Sequence, residues 1–526
     1  MTPKTKTVAS FYEAQASSER KPYEDRAVKH SQVTIPYLFT EDTLTNNKHK
    51  SFIQRQSIGS KGVNSLASKL LITQFPANTP FFRFDYPKEQ MDEILNTLKE
   101  TAPDQSSDID ALRGKVEKEL SNYEQLITTE IETQAMRPVL NSALKQLIVT
   151  GNVLLHLPDK GGIKMYRLHN FIVVRDSSGK PYRIIAKDIV RYDTLSKDLL
   201  DEAKLLDIQE SEKEKDIHVF TDIQWNQDTN KWDVVQEINE HIIESSRGTY
   251  HKDRLPWIPL RFIRMDGEHY GRAYVEEYYG DLLSVSELRE AITDGSKASA
   301  KLLVMVRPNS STKKKDIAES PNGAIVNGDA NDVSMLQAQK HADLAVAERT
   351  SEQIKSDLKD AFLMKNTRQA ERVTREEIRR DAEELEDTLG GIYSTLSHEL
   401  QTPLVNILMH RTLKKTKFSF FPKDALEPRI TTGIEALGRG NDLQKLRLFL
   451  QTLVESLGIE GVLAILKGGN LVDRVAASIG INTEGLIKSE EERAQEAQQN
   501  QMMAMSQQAL PQLMQMLNQS QGNQNG

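Results

Sequence analysis

The chain has 526 residues, of which 38% are hydrophobic and 27% are charged, and 76 acidic residues against 68 basic ones give it a net charge of −8. This acidic balance argues against a protein that wraps nucleic acid, although it allows one past which DNA slides. Because cysteine is absent, disulfides, thiolate catalysis and zinc–thiolate sites are excluded.

No targeting or membrane-spanning segment is expected. The N-terminal residues, MTPKTKTVASFYEAQ, contain no apolar run of the kind found in signal peptides. No later segment approaches the ~20 apolar residues that are needed to cross a bilayer. The sequence therefore predicts a soluble intracellular product that has no membrane partner.

The chain is predicted to begin with helices and to change to β-structure near residue 151. Val63, Leu66 and Leu70 recur at the spacing of one buried helix face. The strip Phe81–Tyr86 alternates as a strand would, which favours a place in the core or in a subunit interface over stacking on nucleic acid. From 151 to 265, short apolar runs are separated by Gly, Asp, Ser and Pro, a pattern typical of hairpins.

Two long helices with an insertion between them are predicted next. Periodic apolar residues predict a helix over Tyr274–Ala300, and a second helix follows at His341–Met364. The segment Lys301–Lys340 contains Pro308 and two Asn-Gly turn signals, so it is predicted to form strands and turns. The two helices therefore bracket a small strand-and-turn module.

The helical pattern resumes from Thr374 to about Lys417, with kinks expected at Gly390-Gly391 and Pro403. Further helices are predicted after residue 434. The tail from about Glu490 is rich in Gln, Asn and Met, and it is predicted to be either a surface helix with frayed ends or disordered. Its composition favours disorder mostly beyond Leu510.

One short segment of the long helix suggests enzyme chemistry. Ser397–Leu404, SHELQTPL, resembles the phosphoacceptor box of sensor histidine kinases, in which an imidazole such as that of His398 attacks the γ-phosphate of ATP. Such a kinase also needs a nucleotide-binding domain, and no Asp-x-Gly-x-Gly motif follows Thr402. The simpler interpretation, which is preferred, places His398 on the polar side of a long helix.

The chain also lacks a P-loop, a Gly-x-Ser-x-Gly elbow and a helical zinc-binding histidine pair, so no enzymatic activity, metal or cofactor is predicted.

Several separate motifs, taken in chain order, resemble those of podovirus head-to-tail connector (portal) proteins. They include Tyr23-Glu24-Asp25-Arg26-Ala27, Gly151-Asn152-Val153, Met265-Asp266-Gly267-Glu268, Tyr270-Gly271-Arg272, Glu371-Arg372-Val373-Thr374 and Glu384-Leu385-Glu386-Asp387. The ordered set spans roughly residues 10–490. It includes the helix that carries His398, so the resemblance explains that helix without phosphotransfer.

The resemblance implies an α+β, mostly helical portal fold that assembles as a ring, usually of twelve subunits, at one vertex of the capsid. Double-stranded DNA would pass through the axial channel during packaging by the terminase large subunit and again during ejection. The other implied partners are the major capsid and scaffolding proteins, the tail adaptor protein and internal core proteins. The expected location is the head–tail junction of the virion, after assembly in the host bacterial cytoplasm.

The resemblance also assigns the family's domains to this chain. They are a wing over 1–273, with its β-rich part from about 151; stem helices at 274–300 and 341–364; a clip at 301–340; a channel loop at 365–375; a long wing helix and return strand at 376–433; a crown at 434–489; and a partly disordered tail at 490–526. A cytosolic helical scaffold that forms no ring has the same composition and remains an alternative.

Two groups of basic residues are the candidate site residues. A strongly basic channel would hold DNA and stall it, so basic residues are expected only in narrow rings. In the channel loop that the resemblance assigns, Lys365, Arg368, Arg372 and Arg375 are the predicted DNA contacts, and pairing with nearby glutamates or capping of helix ends is the alternative. In the clip, the predicted docking site for terminase or the tail adaptor is Lys313-Lys314-Lys315, and a solvated charge run is its alternative.

Overall fold

The computed structural model describes residues 7–40, 54–76, 81–85, 109–159, 161–205, 216–299, 303–321, 323–336, 341–364, 384–385, 387–415, 427–430, 448–458 and 461–462. The chain divides into two compact units, one containing 1–103 and 122–437 and the other containing 104–121 and 438–526. Within the described part of the chain, no helix is both long and apolar enough to span a membrane.

The N-terminal part of the chain is helical, as predicted. Its elements are α1 (Val8–Gln15), a π-turn at Ala16–Arg20, α2 (Lys21–Val33), α3 (Ile58–Gln74), α4 (Ile109–Thr133) and α5 (Met136–Thr150). Val63, Leu66 and Leu70 of α3 are fully buried. The predicted buried face of this helix is therefore confirmed.

The β-rich segment is also confirmed, and it forms two antiparallel sheets. The strands of the described residues are β1 (Phe82–Asp85), β2 (Asn152–His156), β3 (Lys164–Tyr166), β4 (Phe171–Arg175), β5 (Pro181–Arg191), β6 (Asp216–Asn226), β7 (Lys231–Ile238), β8 (His241–His251), β9 (Trp257–Arg261), β10 (Leu303–Val306), β11 (Val333–Leu336) and β12 (Glu427–Ile430). One sheet has the order β4-β5-β6-β7-β8 and the other has the order β3-β2-β9. A short helix, α6 (Lys197–Glu202), lies between β5 and β6 and packs on β8.

The five-stranded sheet buries apolar side chains on both faces. Successive strand residues point to opposite faces, so Ile184 of β5 joins a core with Trp232 of β7, whereas Ile185 packs with Tyr12 of α1. The N-terminus of α1 is held to this sheet by the buried Glu237 carboxylate, which accepts hydrogen bonds from the backbone N–H groups of Val8 and Ala9 at 2.7 and 2.9 Å.

The aromatic strip near residue 81 lies in the core of the chain. Phe81, Phe82 and Phe84 are buried, and β1 pairs with β12 so that Phe82 lies opposite Ile430. The rings of Phe84 and Tyr123 are stacked with their centroids 5.2 Å apart. The preference for a core strand over nucleic-acid stacking is therefore confirmed.

Two long helices flank the predicted insertion, but the first is interrupted near its start. The elements are α7 (Tyr274–Glu277), α8 (Tyr279–Ser299) and α10 (His341–Ala361). Tyr278 leaves the helical conformation, at φ −109° and ψ 9°, where its ring packs on Phe362. The Tyr274 hydroxyl donates to the Ala361 carbonyl at 2.7 Å. Helices α8 and α10 pack against each other, and Gly295 lies against Leu344 where they meet.

The insertion between these helices contains strands, as predicted, and one short helix that was not predicted. β10 and β11 form an antiparallel pair with Leu303 opposite Leu336. Helix α9 (Lys314–Glu319) lies between them in sequence. Met305 and Ile325 of this module are large apolar side chains that remain exposed, Ile325 fully so.

The predicted helix from Thr374 to about Lys417 is described at 384–385 and from 387 onward, and it is not continuous. Gly390, at φ +47°, interrupts it, which confirms the first expected kink. Beyond it come α11 (Gly391–Leu396), a π-turn at Ser397–Gln401 and α12 (Thr402–Lys415). The π-turn ends two residues before Pro403, which lacks the N–H that an α-helix would direct to the Glu399 carbonyl. The kink expected at Pro403 stays a prediction.

In the second unit, the described residues include a helix over 448–458, within the region where helices were predicted. Leu448, Phe449 and Leu457 are exposed on this helix. The tail that was predicted to be partly disordered lies outside the described residues.

Candidate functional site

The four candidate DNA contacts, Lys365, Arg368, Arg372 and Arg375, lie outside the described residues, so they stay predictions. The other candidate group, Lys313-Lys314-Lys315, is described and exposed at the start of α9. In the described part of the chain, none of the three lysines forms an ion pair with an acidic side chain. Cations at a helix N-terminus oppose the helix dipole, so these lysines do not stabilise α9 electrostatically.

Four of the sequence motifs that carry the family resemblance, those at 23–27, 151–153, 265–268 and 270–272, meet at one junction in the structure. Tyr23 of α2 donates to the Glu268 carboxylate at 2.7 Å. Arg272 donates to Glu268 at 2.8 Å and to Glu276 at 2.9 Å, and Arg26 lies 3.8 Å from Glu276. These carboxylates lower the free energy of the charged guanidinium, so the pKa of Arg272 is raised, mainly by its hydrogen bond to Glu268. The junction joins the N-terminal helices to the start of α7.

The Gly151-Asn152 motif forms the second part of this junction. The Asn152 side chain donates to the Gly271 carbonyl at 2.8 Å and accepts from the Gly271 N–H at 2.7 Å. Gly151 adopts φ +77°, and a Cβ placed on it would lie 2.6 Å from the Gly271 carbonyl oxygen. Both residues of the motif therefore let two backbone segments approach closely, and a larger residue at 151 would separate them.

A buried charged group extends the junction toward the five-stranded sheet. Glu24 lies 2.8 Å from Arg20 and 3.1 Å from the His169 ring nitrogen Nδ1. Burial opposes ionisation of Glu24, but the hydrogen bond from His169 and the charge of Arg20 outweigh it, so the pKa of Glu24 is lowered. Arg20 also donates to the Tyr12 hydroxyl at 2.8 Å. This group ties α1 and α2 to the residues that precede β4.

The kinase-like box lies on the π-turn, which packs against β9. His398 is exposed on the π-turn, as the simpler interpretation predicts. The neighbouring Glu399 accepts the Arg261 backbone N–H at 3.1 Å and also binds the Arg261 guanidinium. Glu399 thus occupies the free edge of β9 and neutralises a side chain that is only 2% exposed.

Sequence reasoning missed the buried arginines of this region. Arg175 donates to the His269 carbonyl at 3.0 Å and to the Pro259 carbonyl at 3.1 Å. Burial, together with the charge of Arg261, lowers the pKa of Arg175 to about 10. The available signal was a charged residue inside an apolar strand pattern, as in Trp257–Arg261. Over the described ranges, no cluster of three or more histidines or acidic residues is placed to bind a metal ion.

Comparisons with known proteins give one consistent result. A family model for the bacteriophage head to tail connecting protein matches residues 5–487. The portal protein of Escherichia phage T7 is 39% identical over 512 residues, covering 94% of this chain and 91% of that protein. The portal protein of Enterobacteria phage T3 is 36% identical over 489 residues, covering 91% of this chain and 87% of that protein. Among solved structures, the neck of a native gene transfer agent particle matches with 11% identity, covering 81% of this chain and 90% of that one. The TM-score of this match is 0.33, a value that supports no structural argument.

Proposed function

The chain belongs to the family of bacteriophage head-to-tail connecting proteins, and from this premise we propose that it forms the portal ring at one vertex of a phage capsid. The ring would consist of twelve copies around an axial channel. DNA would enter the head through this channel, driven by the terminase large subunit, and leave through it during ejection. The capsid, scaffolding, core and tail adaptor proteins would dock around it in the virion.

The observation that carries this proposal is the 39% identity to a portal protein over 94% of the chain. The order of elements along the chain supports the proposed domains. Helices α8 and α10 suit the two stem segments, and the β10–β11 module between them suits the clip. On this assignment the motif junction at Arg272 joins the wing to the base of the stem.

The charges of the proposed stem are compatible with a channel that DNA slides through. Helices α8 and α10 carry nine acidic and five basic side chains, a net charge of −4 for each copy. Repeated around a ring, this charge would repel the phosphate backbone and would oppose tight binding. Basic contacts would then be confined to the channel loop.

The proposal is tested first by negative-stain electron microscopy of the purified full-length protein. We expect round particles with a central hole and radial spokes. A monomer or simple dimer under every condition tried would instead favour the helical scaffold. Absence of the protein from phage particles would also contradict a portal function.

Replacing Lys365, Arg368 and Arg372 together with Gln is expected to leave the ring intact and to impair DNA packaging or retention, because the proposed basic ring would be lost. The measurements are ring formation by electron microscopy, packaged genome length and infectivity. A matched control replaces three exposed lysines elsewhere, Lys197, Lys231 and Lys252. If both triple variants package genomes of normal length, the channel assignment is wrong.

Replacing Lys313, Lys314 and Lys315 with Gln is expected to weaken binding of the terminase large subunit or the tail adaptor to preformed rings by about tenfold. Removing three exposed charges from an interface rim lowers the association rate and the affinity by this order. Binding is measured by surface plasmon resonance at two salt concentrations, with the Lys197, Lys231 and Lys252 variant as control. If the unmodified protein, the variant and the control bind each partner with the same affinity, the cluster is a solvated charge run.

A further inference from the structure

The insertion between α8 and α10 contains two Asn-Gly pairs that the proposed function does not use. One of them, Asn327-Gly328, lies between α9 and β11, and residues 324–327 form neither helix nor strand. Both residues of the pair are exposed, and the nearby Ile325 is fully so. The Asn327 amide and the backbone nitrogen that follows it are therefore accessible to water.

The packing of this module requires glycine at position 328. A Cβ placed on Gly328 would lie 2.5 Å from Oγ1 and 2.9 Å from Cγ2 of Thr312. Thr312 is buried, and its hydroxyl accepts a hydrogen bond from the Asp329 N–H at 3.0 Å, so it cannot move aside without losing that contact. The fold therefore keeps at 328 the residue type that shields its own backbone nitrogen least, because glycine has no side chain.

We propose that Asn327 is a site of spontaneous deamidation. The Gly328 backbone nitrogen loses its proton and attacks Cγ of Asn327, and the bond from Cγ to the side-chain nitrogen breaks, so that ammonia leaves with that proton. The succinimide that forms takes up one water molecule, which opens the ring at either carbonyl. The product is aspartate, or isoaspartate in which the main chain runs through the former side-chain carbon. Water is the only co-reactant.

A second exposed asparagine of the same module has the opposite arrangement. Asn331 is followed by Asp332, and both belong to the 3₁₀ turn Ala330–Asp332. The Asp332 N–H donates to the Asp329 carbonyl at 3.0 Å, and the Asn331 N–H donates to the Asp329 carboxylate at 2.9 Å. The nitrogen that would have to attack Asn331 is therefore held by a hydrogen bond and belongs to a residue with a side chain. Asn331 is expected to be protected.

Deamidation changes the charge of the module. Residues 303–336 carry four basic and four acidic side chains, so their net charge is zero. Conversion of Asn327 adds one carboxylate. Isoaspartate also lengthens the main chain by one carbon shortly before Asp329, whose N–H is bound to Thr312. Converted copies therefore differ from new ones both in charge and in the path of the chain.

The test incubates the folded full-length protein at mildly alkaline pH and analyses the tryptic peptide 316–340 by tandem mass spectrometry, which assigns the product to each asparagine. We expect Asn327 to be converted about tenfold faster than Asn331, a difference of ~1.4 kcal/mol in activation free energy. The rate should rise with pH, because the attacking nitrogen must lose its proton. An isoaspartyl methyltransferase detects the isoaspartate, and a sample without incubation corrects for conversion during digestion.

Two controls accompany this measurement. Asn327→Gln lengthens the side chain by one carbon, which disfavours ring closure, so conversion at 327 should be lost while Asn331 is unchanged. The unmodified protein in denaturant gives the rates without the fold. If folded protein converts Asn327 no faster than Asn331, or converts Asn327 only in denaturant, the proposal is wrong. Neither readout depends on ring formation or DNA packaging, so failure here is distinguishable from failure of the portal assignment.

Discussion

Glu399→Ala is expected to lower the free energy of unfolding by about 3 kcal/mol, because it leaves a buried arginine without its counter-charge. The Arg261 side chain is 2% exposed and the Glu399 side chain is 18% exposed, so solvent screens this pair little. The substitution also removes the acceptor for the Arg261 backbone N–H at the edge of β9. Chemical denaturation followed by circular dichroism measures the change.

Two further substitutions at the same turn separate the effect of the Glu399 charge from the effect of changing any residue of this turn. Glu399→Gln keeps one acceptor but removes the charge, so it should be intermediate in stability. His398→Asn changes an exposed neighbour and should be nearly silent for stability and assembly. If Glu399→Ala proved as stable as His398→Asn, the ion pair would contribute nothing to the free energy of unfolding. Transfer of labelled γ-phosphate to the unmodified protein, but not to His398→Asn, would revive the kinase interpretation.

Gly151→Ala is expected to destabilise the chain by about 2–4 kcal/mol through backbone strain and overpacking together. The residue has φ +77°, and an added Cβ would lie 2.6 Å from the Arg272 carbonyl carbon and 2.8 Å from the Ala273 nitrogen. These are backbone atoms, so they cannot rotate away as the end of a side chain can. The expected result is a lower Tm and fewer assembled particles at a given expression level.

Gly267→Ala is the matched control for this effect. Gly267 has nearly the same φ, +80°, but nothing lies within 4 Å of the position its Cβ would take. It should therefore report the backbone strain alone, about 1 kcal/mol. Equal losses of Tm in both variants would show that close approach of the 151 and 271 segments contributes nothing.

The elements that depend on local patterns could be predicted from the sequence. Periodicity and turn signals predicted three features: the strand that contains Phe81, Phe82 and Phe84, the hairpins after residue 151, and the helix–module–helix order. All three features are present in the structure. The break at Tyr278 was missed because helical periodicity gives no sign of it, and its contact there is with Phe362, a residue distant in sequence. The π-turn was missed because helical periodicity does not reveal one extra residue near a proline.

The candidate site was predictable only in pieces. Motifs such as Tyr23–Ala27 and Tyr270–Arg272 could each be recognised along the chain, but nothing in one sequence shows that these two meet at one junction. Pairs such as Arg261 with Glu399 are separated by 138 positions in the chain, and periodicity contains no information about such partners. The channel residues Lys365, Arg368, Arg372 and Arg375 remain predictions for the packaging experiment to decide.

The aromatic contact of Tyr274 and Tyr278 with Phe362 lies where the helix pair begins and ends. Helix α8 has 21 residues, which at 1.5 Å per residue is about 30 Å of rigid arm. A tilt of only about 5° at this contact would therefore displace the β10–β11 hairpin by about 3 Å. Small rearrangements of three rings would thus be magnified at the module that carries Lys313–Lys315.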